Sequence, residues 1–250
     1  MSVVWITGAS SGLGAHLALE LARRGHRLGL VARRASALDE LCGRIAAAGG
    51  EAHARAADVT DRASLASAFT ALEEVLGPAD VCVANAGVDG RFDVRAIGAE
   101  AIAHTFAVNV FGAIATAELV LPSMLARDRG LLVVVSSVAA TRGLTRSATY
   151  SASKAAITTF WEGMRVDLHA TGVDCLTIHP GFVRTPMTST NDFAMPFLLE
   201  PEDAARRMAD AIEARRRTLT FPLPFRLAEA LMKVAPAWLF DPLLDRLDGR

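Results

Sequence analysis

The residues with the plainest chemistry in this 250-residue chain are Tyr150, its single tyrosine, and Lys154, four positions later in "SATYSASKAAI". On a helix that spacing puts both side chains on one face, where they can converge on one point. A free phenol titrates near about pH 10, so alone it is a weak base and a slow acid at neutral pH. A neighbouring ammonium favours the phenolate and draws its pKa toward the working range. The pair is suited to giving a proton to an oxygen, or taking one away. Just upstream, "LLVVVSSV" ends an apolar run on Ser136 and Ser137. A hydroxyl from either can donate to a carbonyl oxygen as negative charge develops on it.

A second stretch, "TGASSGLG" from Thr7 to Gly14, follows the apolar run "SVVWI" and opens a helical pattern. Gly8, Gly12 and Gly14 let the backbone turn sharply and approach a pyrophosphate, whose charge the helix N-terminus stabilises. A plain tight turn would use the same residues, but the placement after a strand favours a nucleotide. NAD-binding chains usually carry an acid about 20 residues beyond such a loop, for the ribose 2′-hydroxyl. Here the second strand ends on Ala32, followed by Arg33 and Arg34. Guanidinium pairs with a 2′-phosphate and a carboxylate repels it, so NADP(H) is expected in preference to NAD(H). The plainer alternative is two solvated arginines at a strand end.

These groups need a scaffold, and the chain supplies one in alternating segments. Strands are predicted at "SVVWITG", "RLGLVAR", "EAHARAADV", "ADVCVANAG", "GLLVVVSS" and "VDCLTIHPG". Helices are predicted from about Leu13 to Arg24, over "ASALDELCGRIAAAG", from Asp61 to Leu76, from Ala99 to Arg127, and from the Tyr150 stretch to about Ala170. Strands apolar on both faces and separated by helices imply an α/β fold: one doubly wound parallel sheet, covered on both sides, in a single domain spanning 1–250. Ligands in such sheets sit at the carboxyl ends of the strands. The pattern weakens after Pro180, where a proline-broken apolar segment at about 186–200 is expected to cover the substrate. An apolar, proline-punctuated tail runs from about 221 to 250.

Composition narrows the function further. Lys+Arg 26 against Asp+Glu 27 gives a formal charge of −1, leaving no field to attract nucleic acid. Three scattered cysteines, Cys42, Cys82 and Cys175, form no zinc or thiol-exchange pair. His16, His26, His53, His104, His169 and His179 lack metal-ligand spacing, so no metal is expected. The opening "MSVVWITGAS" lacks a signal-peptide pattern, no run approaches a spanning helix, and a cytoplasmic location is expected.

Taken in order, these motifs resemble the short-chain dehydrogenase/reductase family: "TGASSGLG", "ADV" at 57–59, "NAG" at 85–87, Asn109, Ser137, "YSASK" at 150–154 and "PGFVRT" at 180–185. The resemblance implies a Rossmann-like three-layer αβα sandwich and a tetrad of Asn109, Ser137, Tyr150 and Lys154. It selects Ser137 over Ser136, because the family serine lies 13 residues before the tyrosine at position 150. In that pattern Tyr150 is the general acid/base and Ser137 polarises the substrate carbonyl. Lys154 binds the nicotinamide ribose and lowers the tyrosine pKa, and Asn109 holds a water in a proton relay. Implied cofactor contacts are Gly8, Ser10, Ser11, Gly12, Leu13, Gly14, Arg33, Arg34, Asp58, Val59, Asn85, Ala86, Gly87, Tyr150, Lys154, Pro180, Gly181, Val183 and Thr185.

The implied activity is hydride transfer between nicotinamide and a small, fairly apolar carbonyl or secondary alcohol. A homodimer or homotetramer is implied too, with Phe160, Trp161 and Met164 as candidates to meet a partner helix or, alternatively, the chain's own sheet. Where family members end in a short strand, the tail here differs: it would pack on its own cleft, join a partner subunit or lie on a membrane surface. The competing functions are a nucleotide sensor with the fold and weak chemistry, and a lipid-surface protein anchored by the tail.

Overall fold

The computed structural model describes residues 1–90, 92–240 and 242. Among them, seven strands form one sheet: β1 (Val3–Thr7), β2 (Arg27–Ala32), β3 (Glu51–Ala56), β4 (Val81–Ala84), β5 (Gly130–Val135), β6 (Val173–Pro180) and β7 (Thr218–Phe221). Their order across the sheet is β3-β2-β1-β4-β5-β6-β7, and every neighbouring pair is parallel. The chain winds outward from β1 to β3, then crosses back to lay β4 on the other side of β1. That reversal opens a crevice at the carboxyl ends of β1 and β4.

Helices α1 (Gly12–Arg23), α2 (Ala35–Ala47) and α7 (Pro201–Glu213) cover one face. On the other lie α3 (Arg62–Leu76), α5 (Ala113–Ala126) and α6 (Ala148–Asp167). The reason is visible in β1, whose residues are all buried. Val4 and Ile6 pack with Leu17, Leu38 and Met208 on one side, while Val3 and Trp5 pack with Leu72, Met124 and Trp161 on the other. A strand apolar at every position belongs inside a two-sided sheet, and the alternation of its side chains feeds both cores. Asp61 starts α3 by accepting from the amides of Ala63 and Ser64, both at 3.0 Å.

Three sequence expectations need correction here. The helix expected from Ala99 to Arg127 is α4 (Ala99–Phe106), a π-turn (Ala107–Gly112) and α5. By length and composition Ala99–Ala126 does reach the apolarity of a spanning helix, at mean hydropathy 1.6, but half of that window is buried. Its apolar residues cover the sheet, as those of a core helix do. Trp161 is buried and donates its indole N–H to the Leu132 carbonyl at 3.3 Å, and Met164 packs on the same core, so only Phe160 of that trio faces outward.

The third correction lies after Pro180, where the chain regains regular structure. There α7 starts on Pro201 with Glu202 and Asp203 in its first turn, β7 closes the sheet edge, and α8 (Leu223–Val234) packs beside it. The tail expected from 221 to 250 therefore begins with the end of a strand and a helix; 241 and 243–250 lie outside the described residues.

Candidate active site

A cavity of about 340 Å³ occupies the crevice at the carboxyl ends of the strands, and every cofactor contact expected from the sequence lines it. At one end stands the turn from β1 into α1. Gly8 has φ +69° there, and a Cβ on it would stand 2.6 Å from the Ala86 backbone. A Cβ on Gly14 would stand 2.5 Å from the Gly8 carbonyl oxygen. The loop is therefore packed to contact against β4 and leaves its open side to the cavity. Ser11 caps α1 without a side-chain hydrogen bond, which leaves first-turn N–H groups for an anion. This is the cradle a pyrophosphate needs.

Asn85, expected to border a cofactor, also does structural work. Its Nδ2 donates to the carbonyls of Thr7 at 3.0 Å and Gly8 at 3.1 Å, tying the end of β4 to the glycine turn. Beyond the turn, Ala32 ends β2, and Arg33 and Arg34 line the cavity. Arg34 donates to Ser10 Oγ at 3.2 Å, whereas the exposed Arg33 lies 3.8 Å from the Asp58 carboxylate. Asp58 itself accepts from Thr60 N at 2.9 Å and Thr60 Oγ1 at 2.8 Å. Arg33 is thus loosely held and can turn toward an anion, while Arg34 stiffens the turn.

Ser137, Tyr150 and Lys154 stand at the other end, where β5 stops and α6 begins. The two serines that sequence reasoning left open before the resemblance have different partners. Ser136 Oγ donates to the Lys154 carbonyl at 3.1 Å and shares a hydrogen bond with Thr158 Oγ1 at 2.7 Å, fastening β5 to α6. Ser137 Oγ accepts from the Ala139 amide at 3.1 Å and lies near enough to Tyr150 to influence its phenol. Burial pushes the Tyr150 phenol up to about 12; the Ser137 hydrogen bond opposes this and the Asp89 charge adds to it. Lys154 Nζ donates to the Val135 carbonyl at 2.8 Å and lies 5.7 Å from the centre of the Tyr150 ring. Burial brings this lysine down to about 8. The net direction for the tyrosine is upward, opposite to the lowering that the Lys154 spacing suggested.

Asn109 does not line the cavity with the others. Its Oδ1 accepts from Val88 N at 2.8 Å, and its Nδ2 donates to Val88 O and Ser153 Oγ, both at 3.0 Å. The side chain clamps the strand β4 exit to α6, which leaves little of it for a relay. The packing beside it is close: a Cβ on Gly87 would lie 3.3 Å from Asn109 Oδ1 and 3.5 Å from Lys154 Nζ.

Two residues missed in the sequence complete the surroundings. His179 on β6 is buried, and its Nδ1 lies 3.2 Å from the Ser137 carbonyl, so the ring donates there and steadies the serine's backbone. Nothing in the spacing of the histidines separated it from the rest. Phe225 of α8 packs on Gly181 and against Phe182 and Phe197, with ring centres 5.8 and 6.0 Å away. The segment expected to cover the substrate leaves and returns to one place, through Arg184 N to Leu199 O at 2.9 Å and Leu199 N to Phe182 O at 3.0 Å. Its residues Pro186, Met187 and Thr188 line the cavity.

Comparison with known proteins adds to this geometry. Residues 2–194 match the family model for short chain dehydrogenase. An uncharacterized oxidoreductase of Myxococcus xanthus is 44% identical, covering 97% of this chain and 96% of its own. Among solved structures, a short chain dehydrogenase/reductase from Burkholderia phymatum in complex with NAD superimposes with a TM-score of 0.85 at 25% identity, over 92% of both chains. A short-chain dehydrogenase from Sphingobium yanoikuyae in complex with NADPH gives 0.81 at 27% identity, over 94% of this chain and 97% of that one.

Proposed function

The chain belongs to the short-chain dehydrogenase family, and from that premise we propose that it is an NADP(H)-dependent oxidoreductase acting on a carbonyl or secondary alcohol, with Tyr150 as general acid/base. The observation that carries the reading is the convergence of Ser137, Tyr150 and Lys154 at one end of a cavity whose other end is the glycine turn. The turn from Gly8 to Gly14 would hold the pyrophosphate, Arg33 and Arg34 the 2′-phosphate, Asp58 and Val59 the adenine side. Asn85, Ala86, Gly87, Pro180, Gly181, Val183 and Thr185 would border the rest. When bound, the nicotinamide supplies or accepts the hydride.

The remaining work falls to side chains. With its pKa raised to about 12, Tyr150 is protonated at neutral pH and so holds the proton that an alkoxide forming from a carbonyl would take. Ser137 accepts from Ala139 N, and its one hydrogen, which stabilises the Tyr150 oxygen in the cofactor-free protein, would turn to the carbonyl oxygen of a bound substrate. Lys154, at about 8, is mostly an ammonium at pH 7 and sets a positive potential beside the phenol. A proton relay from Lys154 would pass beside Gly87 and leave the Asn109 side chain on Val88. The chain is further read as a homo-oligomer, for which the exposed Phe111 and Phe160 offer apolar contact.

The test is NADPH and NADH consumption over a panel of ketones and aldehydes, with Tyr150→Phe as control. Wild type should turn over with NADPH, and the variant should bind NADPH with near-normal affinity while losing turnover about 100-fold or more. Wild type that binds NADPH and turns over nothing would favour a sensor instead.

A further inference from the structure

We propose that the outward face of α8, with the turn that follows it, docks on an anionic lipid surface. The helix packs Phe225 inward and carries a second apolar set outward. Leu223, Leu227, Leu231 and Val234 are 64%, 64%, 69% and 79% exposed. At 3.6 residues per turn their spacing sets them in one stripe about 80° wide. Trp238, 76% exposed, stands just past the helix end. Glu229, meanwhile, is buried, accepting from Thr220 Oγ1 at 2.8 Å and paired with Lys233 Nζ at 3.1 Å. A helix that already packs one apolar side and turns a second row of leucines to solvent has that second row available for another surface.

The stripe is fixed in place and continuous with the site. Phe225, on the inner side of α8, packs on Gly181 and on Phe197 of the 184–199 loop, whose Phe193 and Phe197 are themselves half exposed. Arg142, in the segment after Ser137, stacks on Phe240 at 4.6 Å and donates to the Ala235 carbonyl at 3.0 Å. Phe225 therefore joins the apolar face to the loop beside the cavity.

Charge decides the occupant. Among the described residues of α8 and the following turn, the exposed charges are Arg226 and Lys233, both cationic, while Glu229 is turned in. Neighbouring carboxylates on the loop, Asp192 and Glu200, are paired with Arg146 and Arg184. A leucine stripe edged by cations and ending in a tryptophan is the make-up of a helix lying in a lipid headgroup layer. A two-fold contact with a second copy would bring the same cationic edge onto itself, with no exposed carboxylate on that element to meet it. Because Lys233 shares its charge with Glu229, apolar burial carries most of the binding and Arg226 supplies a modest preference for anionic headgroups.

The proposal is independent of the reaction, and its test needs no substrate. Purified full-length protein is floated with vesicles of phosphatidylcholine alone and of phosphatidylcholine with phosphatidylglycerol, and its tryptophan emission is followed. Trp5 and Trp161 are buried, so Trp238 reports the surface. Wild type should float with the mixed vesicles several-fold more than with the neutral ones, and its emission should shift to the blue. The double variant Leu227→Glu/Leu231→Glu should lose flotation at least tenfold while keeping wild-type melting temperature and NADPH affinity. Should that variant fail to fold, Trp238→Phe, which abolishes the emission shift while preserving flotation, gives the same support. Wild type that stays at the bottom with both vesicles overturns the proposal, as does flotation unaffected by the double variant. An oligomer that the double variant dissociates, without flotation of wild type, assigns the face to a second copy and overturns it too.

Discussion

Lys154→Met should make the protein more stable at pH 7 while removing turnover. The ammonium is buried at the foot of the cavity, and burial lowers its pKa from the ordinary 10.5 to about 8. That gap corresponds to about 3 kcal/mol of penalty for keeping the charge in the folded state. Methionine fills a similar volume without charge, but forfeits the 2.8 Å hydrogen bond to the Val135 carbonyl, a loss of about 1 kcal/mol. The net gain of about 2 kcal/mol should raise the melting temperature by roughly 4–8 °C in a chain of this size. The pH dependence is the sharper signature. Because the folded-state pKa is depressed, the unfolded chain binds the proton more tightly between pH 8 and 10.5. Wild type therefore carries the full penalty below that window and recovers stability as pH climbs through it. Tyr150, raised to about 12, acts oppositely, losing stability as pH rises above its ordinary 10, but both proteins share it. Calorimetry of the cofactor-free proteins at pH 7, 9 and 10 should show the variant's advantage shrink by about 2–3 kcal/mol. A gap that stays constant across that range would refute the buried-charge account, whatever its sign.

Arg33→Asp should weaken NADPH binding about 10- to 100-fold and NADH little, read by cofactor fluorescence titration, since one charge-assisted contact is worth roughly 1.5–3 kcal/mol; equal losses would dismiss the 2′-phosphate assignment. Gly8→Ala should lower stability by about 2 kcal/mol and abolish measurable cofactor binding, because the added Cβ meets the Ala86 backbone at 2.6 Å in a left-handed conformation. Asn109→Ala should cost about 2–4 kcal/mol by orphaning the Val88 amide and carbonyl and the Ser153 hydroxyl, measured as a shift in the urea midpoint. If turnover falls while the midpoint holds, Asn109 acts on the chemistry more directly than the clamp implies.

Much of the site was legible because its chemistry demands particular residues in short, local patterns. The glycine turn needs positive φ at Gly8 and close approach at Gly14, and no other residue type meets both demands. Tyr150 and Lys154 sit one helical turn apart, so their meeting follows from the helix alone. The two-sided burial of β1, β4 and β5 likewise left a continuous apolar run in each. What escaped reading depends on long-range partners. Asn109 gave no sign that Val88 and Ser153 would consume its amide, and His179 met the Ser137 carbonyl only once β6 lay beside β5. The π-turn was hidden inside an unbroken apolar pattern, where one extra residue per turn changes the facing without changing the composition.

The region after Pro180 escaped for two different reasons, and the difference bears on what the chain does with its end. In α7 the signals were present: Pro201 at the first turn, acids beside it, and Ala204, Ala205, Met208 and Ile212 on one buried face. In α8 the usual rule pointed the wrong way. Apolar periodicity marks the face a helix buries in its own core, yet here Leu223, Leu227 and Leu231 face out and Glu229 faces in. Those leucines stay 64%, 64% and 69% exposed, so folding of the described residues buries little of them. Among the described residues the stripe adds little to the core, lies next to the loop lining the cavity and has Arg226 and Lys233 as the exposed charges of its helix, which is why we assign it to a surface outside the chain. The flotation experiment asks which one.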